Sequence, residues 1–399
     1  MRKQKKTLHR PASRQIVMAG LFVLVGQVCA PAMAENGVHA TSGLERHWTS
    51  NALDSDRAVA DWYTLLRGAL EWRSGDDDSS MALGAEFQAT RYDTVSIEDD
   101  RALALTAQAF RRLDSGVELK GTLSYRASSE GDDLPIGPLV LGMRTLKQVF
   151  AASGQAGIDL GNATSLILEA SDSFEKVGAT RFQSDLLMPA QLDPDRNRAE
   201  IGARLTRTVG PFTFGASGSA LRVSVQSLGS PPVALSLAQY ALRGEFTYTD
   251  AGGSTLGTAL GAEMLRGDDA IYSSLRPSWQ ISFVRKLPRG LELRGTYAGR
   301  FETADSDDPL ASWLQRGELE FAASLRENLV LTGGVFAEAK ENLLFENVER
   351  KHGLYAELTC QATASAAIVL RLDFSRTFKT VIDERQQTVD TFVGLRTKL

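Results

Sequence analysis

The stretch GLELRGTYAGRFET, residues 290–303, alternates without a break. Leu291, Leu293, Gly295, Tyr297, Gly299 and Phe301 share one parity, and Glu292, Arg294, Thr296, Arg300 and Glu302 share the other. Successive side chains of a strand point to opposite faces, so this segment predicts a strand with one apolar side and one heavily charged side. The fold turns on what the apolar side touches.

The same pattern recurs near 61–73, 80–92, 101–112, 116–127, 146–160, 163–176, 196–209, 211–226, 235–249, 254–266, 272–286, 311–326, 328–340, 350–362, 366–379 and 387–399, which with 290–303 makes seventeen segments. Most run to about 12–15 residues, whereas strands of soluble proteins usually have about 5–6. A strand crossing an outer membrane needs about 9–11 residues for the hydrocarbon layer alone. The connections carry a second signal. LDSG, GNA, VGP, DAGGS, LPRG, REN and TASA are short; TVSIEDD, SSEGDDLPIGPLVLGMRT, GATRFQSDLLMPAQLDPD, SLGSPPVAL, DSDDPL, LLFENVE and VIDERQ, which alternate with them, are longer. Short turns on one side and long loops on the other are the habit of transmembrane β-barrels.

Parity also counts the strands. With both termini on the short-turn side, VIDERQ leads into the last strand from outside and SGDDDSS (74–80) becomes a periplasmic turn. One more strand must then precede Asp61, and TSGLERHWTSNA (41–52) is the candidate, although it alternates loosely. The expectation is an all-β, antiparallel transmembrane barrel of about eighteen strands. Sixteen is the neighbouring count, because 101–112 and the first strand are the weakest segments. A soluble sandwich would fill its apolar faces with Val, Ile and Leu. Here Ala and Gly share those faces with larger residues, as in FTFGASGSALRV and STLGTALGAEML, and no repeat longer than the hairpin supports a solenoid.

The N-terminus opens with MRKQKKTLHRPASR, which carries six Lys and Arg and no acid, followed by the apolar IVMAGLFVLVGQVCA and the small-residue site Ala32-Met33-Ala34. That order predicts a secretory signal peptide over 1–34 and a barrel over 35–399. Gly26-Gln27-Val28 before Cys29 does not fit a lipoprotein site. Cleavage would leave 38 basic against 49 acidic residues, a balance that argues against nucleic acid as a partner. Cys360 would be the sole cysteine remaining, so no internal disulfide is expected. Past the leader no apolar run is long enough for a spanning helix.

Leader, strand ladder and the final alternating strand TVDTFVGLRTKL together resemble Gram-negative, porin-like outer-membrane β-barrel proteins. Val389, Val393 and Leu395 keep the spacing of that family's last strand, while Thr391 and Thr397 interrupt it and Leu399 replaces the usual terminal aromatic. The resemblance implies an outer-membrane location, lipid and lipopolysaccharide around the wall, and recognition by the barrel assembly machinery. Size and acidic loops are also similar to barrels associated with exopolysaccharide operons.

In such a barrel the apolar face of 290–303 would meet lipid and the charged face would line a lumen. Further inward candidates are Arg67, Glu71, Glu118, Lys120, Arg126, Glu200, Arg204, Arg243, Glu245, Arg316, Glu318, Arg371 and Asp373. Both signs occur, so neighbouring strands are expected to pair them. That arrangement serves either a hydrated channel for polar solutes or a secreted polysaccharide, or a self-neutralising ladder that only holds the wall. In the loop between segments 116–127 and 146–160, LPIGPLVLG (134–142) sets Leu134, Ile136, Leu139, Val140 and Leu141 close together. An exposed apolar cluster usually marks a contact, and two prolines with two glycines predict a bent, non-regular path. The run is therefore expected to fold inward as a constriction, the alternative being contact with a partner. Acidic loops such as IEDD (97–100) and DSDD (305–308) serve solubility, cation attraction or divalent bridging to lipopolysaccharide.

Catalytic chemistry finds little support. His39, His47 and His352 have no metal-ligand spacing, Cys360 stands alone, and G-x-S-x-G, P-loop and dinucleotide fingerprints are missing from the sequence. No metal, cofactor or enzymatic activity is expected. The competing classes are a rim enzyme acting on lipid or peptide, which would need His352, and a structural or adhesive barrel without transport.

Overall fold

The computed structural model describes residues 36–53, 58–136, 139–184, 187–226, 234–268, 273–303, 311–343, 347–380 and 384–398. The expected signal peptide and the terminal Leu399 lie outside them. Strands in chain order are β1 (Gly37–Thr49), β2 (Asp61–Gly75), β3 (Ser79–Tyr92), β4 (Asp100–Arg112), β5 (Glu118–Ile136), β6 (Leu139–Gly161), β7 (Thr164–Val177), β8 (Arg181–Phe182), β9 (Arg196–Val209) and β10 (Phe212–Gln226). They continue as β11 (Ala234–Thr249), β12 (Thr255–Gly267), β13 (Ser274–Leu287), β14 (Leu291–Thr303), β15 (Ala311–Arg326), β16 (Leu329–Asn342), β17 (Val348–Thr363), β18 (Ala366–Lys379) and β19 (Glu384–Lys398).

Every long strand pairs antiparallel with its neighbours in the chain, and β1 pairs with β19 from Thr41↔Lys398 to Thr49↔Asp390, which closes the sheet. The two-residue β8 only adds to the rim of β6, so the wall is a closed barrel of 18 strands, as the parity of the connections predicts. No helix among the described residues is long and apolar enough to cross a membrane, and the strands leave no open edge to satisfy.

Side chains divide as the alternation requires. Leu66, Leu70, Leu123, Ile201, Leu242, Leu260, Leu319, Leu354 and Leu370 are exposed on one face, and their chain neighbours Arg67, Glu71, Arg243, Glu318 and Arg371 lie on the other. Phe212, Phe214, Phe246 and Tyr248 cluster at the short-turn end of β10 and β11, where aromatic girdles of such barrels sit. Cys360 is opposite Ile368 on the apolar face. In the folded barrel its thiol should resist charged maleimides and react with membrane-partitioning ones; fast labelling by the charged reagent would move β17 by one residue.

The two-residue turn Asn162-Ala163 between β6 and β7 holds both central residues at positive φ, 52° and 53°. That conformation matches the twist of a hairpin, but alanine adopts it at a cost of roughly 1–2 kcal/mol. Ala163→Gly should stabilise the barrel by up to about 1 kcal/mol in reversible urea unfolding from lipid vesicles; a lower midpoint would refute the strain.

LPIGPLVLG departs from the sequence expectation. Where it is described, over 134–136 and 139–142, its backbone does not take a non-regular path: Leu134↔Leu141, Pro135↔Val140 and Ile136↔Leu139 extend the β5–β6 ladder. The sequence pattern misleads here because proline is tolerated on strand edges, which a projecting hairpin supplies on both sides. The side chains of 133–140 lie outside the described residues. Below the tip, Gly131 abuts Ile97 and Gly142 abuts Ile97 and Gln183, so the base of this hairpin stands on the rim between two neighbouring loops.

Candidate functional site: a narrowed lumen

Glu292, Arg294 and Arg300 of β14 and the thirteen further lumen candidates all fall on the face opposite the exposed apolar side chains. Many are paired across the wall. Arg204 donates to Glu245 at 2.7 Å, and Arg316 reaches Glu338 at 3.2 Å and Glu318 at 3.3 Å. Arg371 is bidentate to Asp373 at 2.8 Å and lies 3.5 Å from Glu357. Arg294 pairs with Glu292 at 2.5 Å and Glu320 at 3.7 Å, yet more than half of its side chain stays open to the lumen. Arg243 is less free than its position implies, because its guanidinium is bonded to the fully buried Glu263.

At the closing seam, the sequence reading overlooked a buried cluster. His47 lies between Glu45 at 3.0 Å and Asp390 at 3.1 Å, stacked on Tyr63 with ring centres 4.4 Å apart. Tyr63 donates to Asp390 at 2.9 Å, and Arg396 of the last strand reaches Glu45 at 3.2 Å. These bonds join the first strand to the last. They were hidden because Glu45, His47 and Thr49 are lumen residues in a segment whose outward positions, such as Ser42 and Arg46, are partly polar.

The wall is not uniform. β13 and β14 pair from Leu287↔Leu291 to Trp279↔Gly299, and the ladder stops there, although both strands continue. Beyond that point β14 stays paired with β15 up to Thr303↔Ala311, and β15 with β16 up to Ser312↔Asn342, so the wall parts between β13 and β14 alone. The residues whose parity should face lipid, Phe301, Ala311 and Trp313, are instead buried against Leu221, Val223, Val225, Leu237 and Leu265, all lumen-side residues of β10, β11 and β12. Phe301 is thus a correction to the sequence reading: it meets the inner wall, not lipid. The upper hairpin has turned into the lumen, so that its outer face covers the inner face of its neighbours.

Three contacts fix this turn. The buried Glu263 accepts the Phe301 backbone N–H at 2.8 Å, a donor that lost its strand partner where the ladder parted. Arg276, on the lumen side of β13, is bidentate to Glu341 at 2.7 and 2.8 Å and lies over the Trp313 ring at 5.3 Å. Trp279 fills the parting itself, packed edge-on to Trp313 with ring centres 5.9 Å apart. Gly299 is required beneath it, since a Cβ there would come within 2.5 Å of the indole.

The hairpin reaches far. Thr303 lines a cavity of about 150 Å³ with Val149, Ser173, Glu175, Arg196, Arg198 and Val223. Val149 belongs to β6, seven strands along the sheet from β14. The upper lumen is therefore bridged by chain, with Arg196 and Arg198 beside the far end of the bridge. No cluster of His, Cys, Asp or Glu among the described residues could hold a metal. His352 is exposed on the lipid-facing side at the outer end of β17, beside Arg376 of β18.

This architecture is that of Gram-negative outer-membrane β-barrels, and it places the protein in that membrane. Comparison with solved structures agrees on the fold. The chain is similar to the copper transporter OprC, at 9% identity and TM-score 0.57 over 92% of this chain and 81% of the other. It is also similar to the unliganded ferric citrate transporter FecA, at 12% identity and TM-score 0.51 over 91% and 79%. A third is a mutant ferric enterobactin receptor from Pseudomonas aeruginosa, at 9% identity and TM-score 0.50 over 92% and 82%. No protein-family model and no curated protein sequence matches the chain.

Proposed function

We propose that the protein is a channel for small polar solutes, with its conducting path narrowed by the inward β14–β15 hairpin. The observation that carries this reading is the turned-in hairpin, which crosses an otherwise wide, charge-lined barrel to reach Ser173, Glu175, Arg196 and Arg198. An eighteen-stranded wall encloses an aqueous lumen unless something fills it, and here the filling is partial. The transport roles named for OprC and FecA support the same broad class. A secreted polysaccharide would need the hairpin displaced, so small solutes suit the geometry better than a polymer. Nothing about His352 favours the rim-enzyme reading.

Reconstitution in planar bilayers tests the proposal. Small, stable single-channel steps are expected. Arg294 and Arg300 project from the charged face of β14, so Arg294→Gln with Arg300→Gln should shift the reversal potential toward cation selectivity. Absence of any current in correctly folded protein would leave a structural barrel instead.

A further inference from the structure

The lipid-facing side of β17, β18 and β19 gathers basic side chains at one end, without any carboxylate beside them among the described residues. Along β17 it presents Val348, Arg350, His352, Leu354, Ala356, Leu358 and Cys360; on β18 it continues through Ile368, Leu370, Leu372, Phe374, Arg376 and Phe378; on β19 it shows Arg385, Gln387, Val389 and Val393. No carboxylate stands on this face among the described residues, because Glu349, Glu357, Asp373 and Asp390 all have the lumen parity. The three arginines of this face and His352 all sit at one end. Register sets His352 opposite Arg376, and Arg350 opposite Phe378, which is itself opposite Arg385. Residues directly opposed across strands are about 5 Å apart, so the four side chains share a patch roughly 10 Å across. Arg385 lies over the Phe378 ring at 5.5 Å. Arg350, His352 and Arg376 are exposed, and no ion pair to another described residue engages them.

The patch lies at the upper edge of the apolar band. From Ala366, next to the periplasmic turn, to Arg376 the strand climbs ten residues. Allowing for tilt, that is about 25 Å, the height of the lipid-facing band of such barrels. Cations at this level face the headgroups of the outer leaflet, and guanidinium forks suit phosphate oxygens in bidentate geometry. The acidic outer loops make this concentration of positive charge harder to explain by solubility.

We propose that Arg350, His352, Arg376 and Arg385 form a binding site for the phosphate groups of lipopolysaccharide on the outside of the barrel. The site is separate from the lumen and does not depend on transport. Lipopolysaccharide is the occupant favoured over ordinary phospholipid because the patch occupies only the outer end of these strands, where that lipid forms the leaflet, and has no counterpart at the periplasmic end of the same face.

The test compares the wild type with R350Q/H352Q/R376Q/R385Q, both purified from outer membranes in mild detergent and checked for heat-modifiable migration. Wild-type protein should retain lipopolysaccharide, and the variant should retain at least tenfold less. Purified lipopolysaccharide added to delipidated protein should raise the wild-type melting temperature and leave the variant unmoved. Dephosphorylated lipid A and phosphatidylglycerol vesicles should both fail to stabilise. Retention by the variant equal to wild type would overturn the site, and so would equal stabilisation by dephosphorylated lipid A. Equal stabilisation by phosphatidylglycerol would replace the proposed occupant with any anionic headgroup. The lumen variant R294Q/R300Q should retain lipopolysaccharide like wild type; its loss there would mean that the effect does not come from the outer face. If the quadruple variant fails to fold, R376Q alone should still lower retention several-fold, and no change would count against the proposal.

Discussion

Replacing residues 301–313 with a short Gly/Ser linker should raise single-channel conductance several-fold while the barrel still migrates as a folded, heat-modifiable species. Above Gly299 the β13–β14 ladder has already ended, so the turned-in hairpin is free of the wall on that side, and on the other only Ser312 and Trp313 of the replaced stretch pair with β16. Removing it should therefore leave the closing pairs intact and take the obstruction out of the lumen. Replacing 134–142 in the same way is the comparison, and it should change conductance little, since the base of that hairpin stands on the rim between Ile97 and Gln183. A milder version uses Trp313→Ala. Truncating a buried tryptophan costs about 3–5 kcal/mol. Here that cost falls mainly on docking of the hairpin, and at about 1.4 kcal/mol per tenfold it shifts docked against released hairpin by roughly 10²- to 4 × 10³-fold. Brief openings to the larger conductance should appear in the Trp313 variant. An unchanged conductance in the linker variant would place the narrow point elsewhere.

The wall was legible in the sequence because one rule, alternation, acts on every strand and is enforced by lipid on one side. Leu66, Leu123 and Leu370 could be assigned without tertiary information, as could Arg67 and Arg371 behind them. The first strand was harder. Its lumen parity carries Glu45 and His47, whose partners Asp390 and Arg396 come from the far end of the chain, so no local pattern announces them. The narrowed lumen was harder still, yet it left a trace. In LRVSVQ the apolar parity reverses: Leu221, Val223 and Val225 take the lumen positions and Arg222 goes outward. A polar lumen has no use for that run, so the reversal marks a place where the inner wall must be covered by chain. LPIGPLVLG drew attention as the apolar loop, whereas Phe301 and Trp313, the covering residues, were concealed inside strands of ordinary alternation. A single alternating strand cannot say whether its outer face meets lipid or another strand's inner face.

Glu263→Ala should release the hairpin and also weaken the wall. Glu263 is fully buried, and its carboxylate serves two elements at once: Arg243 on the neighbouring strand β11, and the Phe301 N–H of the turned-in hairpin. Deleting it leaves a partly buried guanidinium without its partner, a change that costs about 3–5 kcal/mol where a buried pair is broken. It also leaves an unsatisfied backbone donor, worth about 1–3 kcal/mol. Two variants separate these effects. Glu263→Gln keeps an amide oxygen that can accept from Phe301 but removes the charge, so it should lower the unfolding midpoint and keep the wild-type conductance. Arg243→Met with Glu263→Leu removes both charges together and should recover much of the lost stability, since a buried pair replaced by packed apolar groups is often neutral. That double variant still lacks the acceptor for Phe301, so its channel should open toward the larger conductance even though its wall is stable. Stability and conductance would then move independently, which a residue acting only as wall ballast would not allow. If Glu263→Ala lowers stability but conducts like wild type, the carboxylate belongs to the wall alone, and the aromatic contacts of Phe301 and Trp313 hold the hairpin without it.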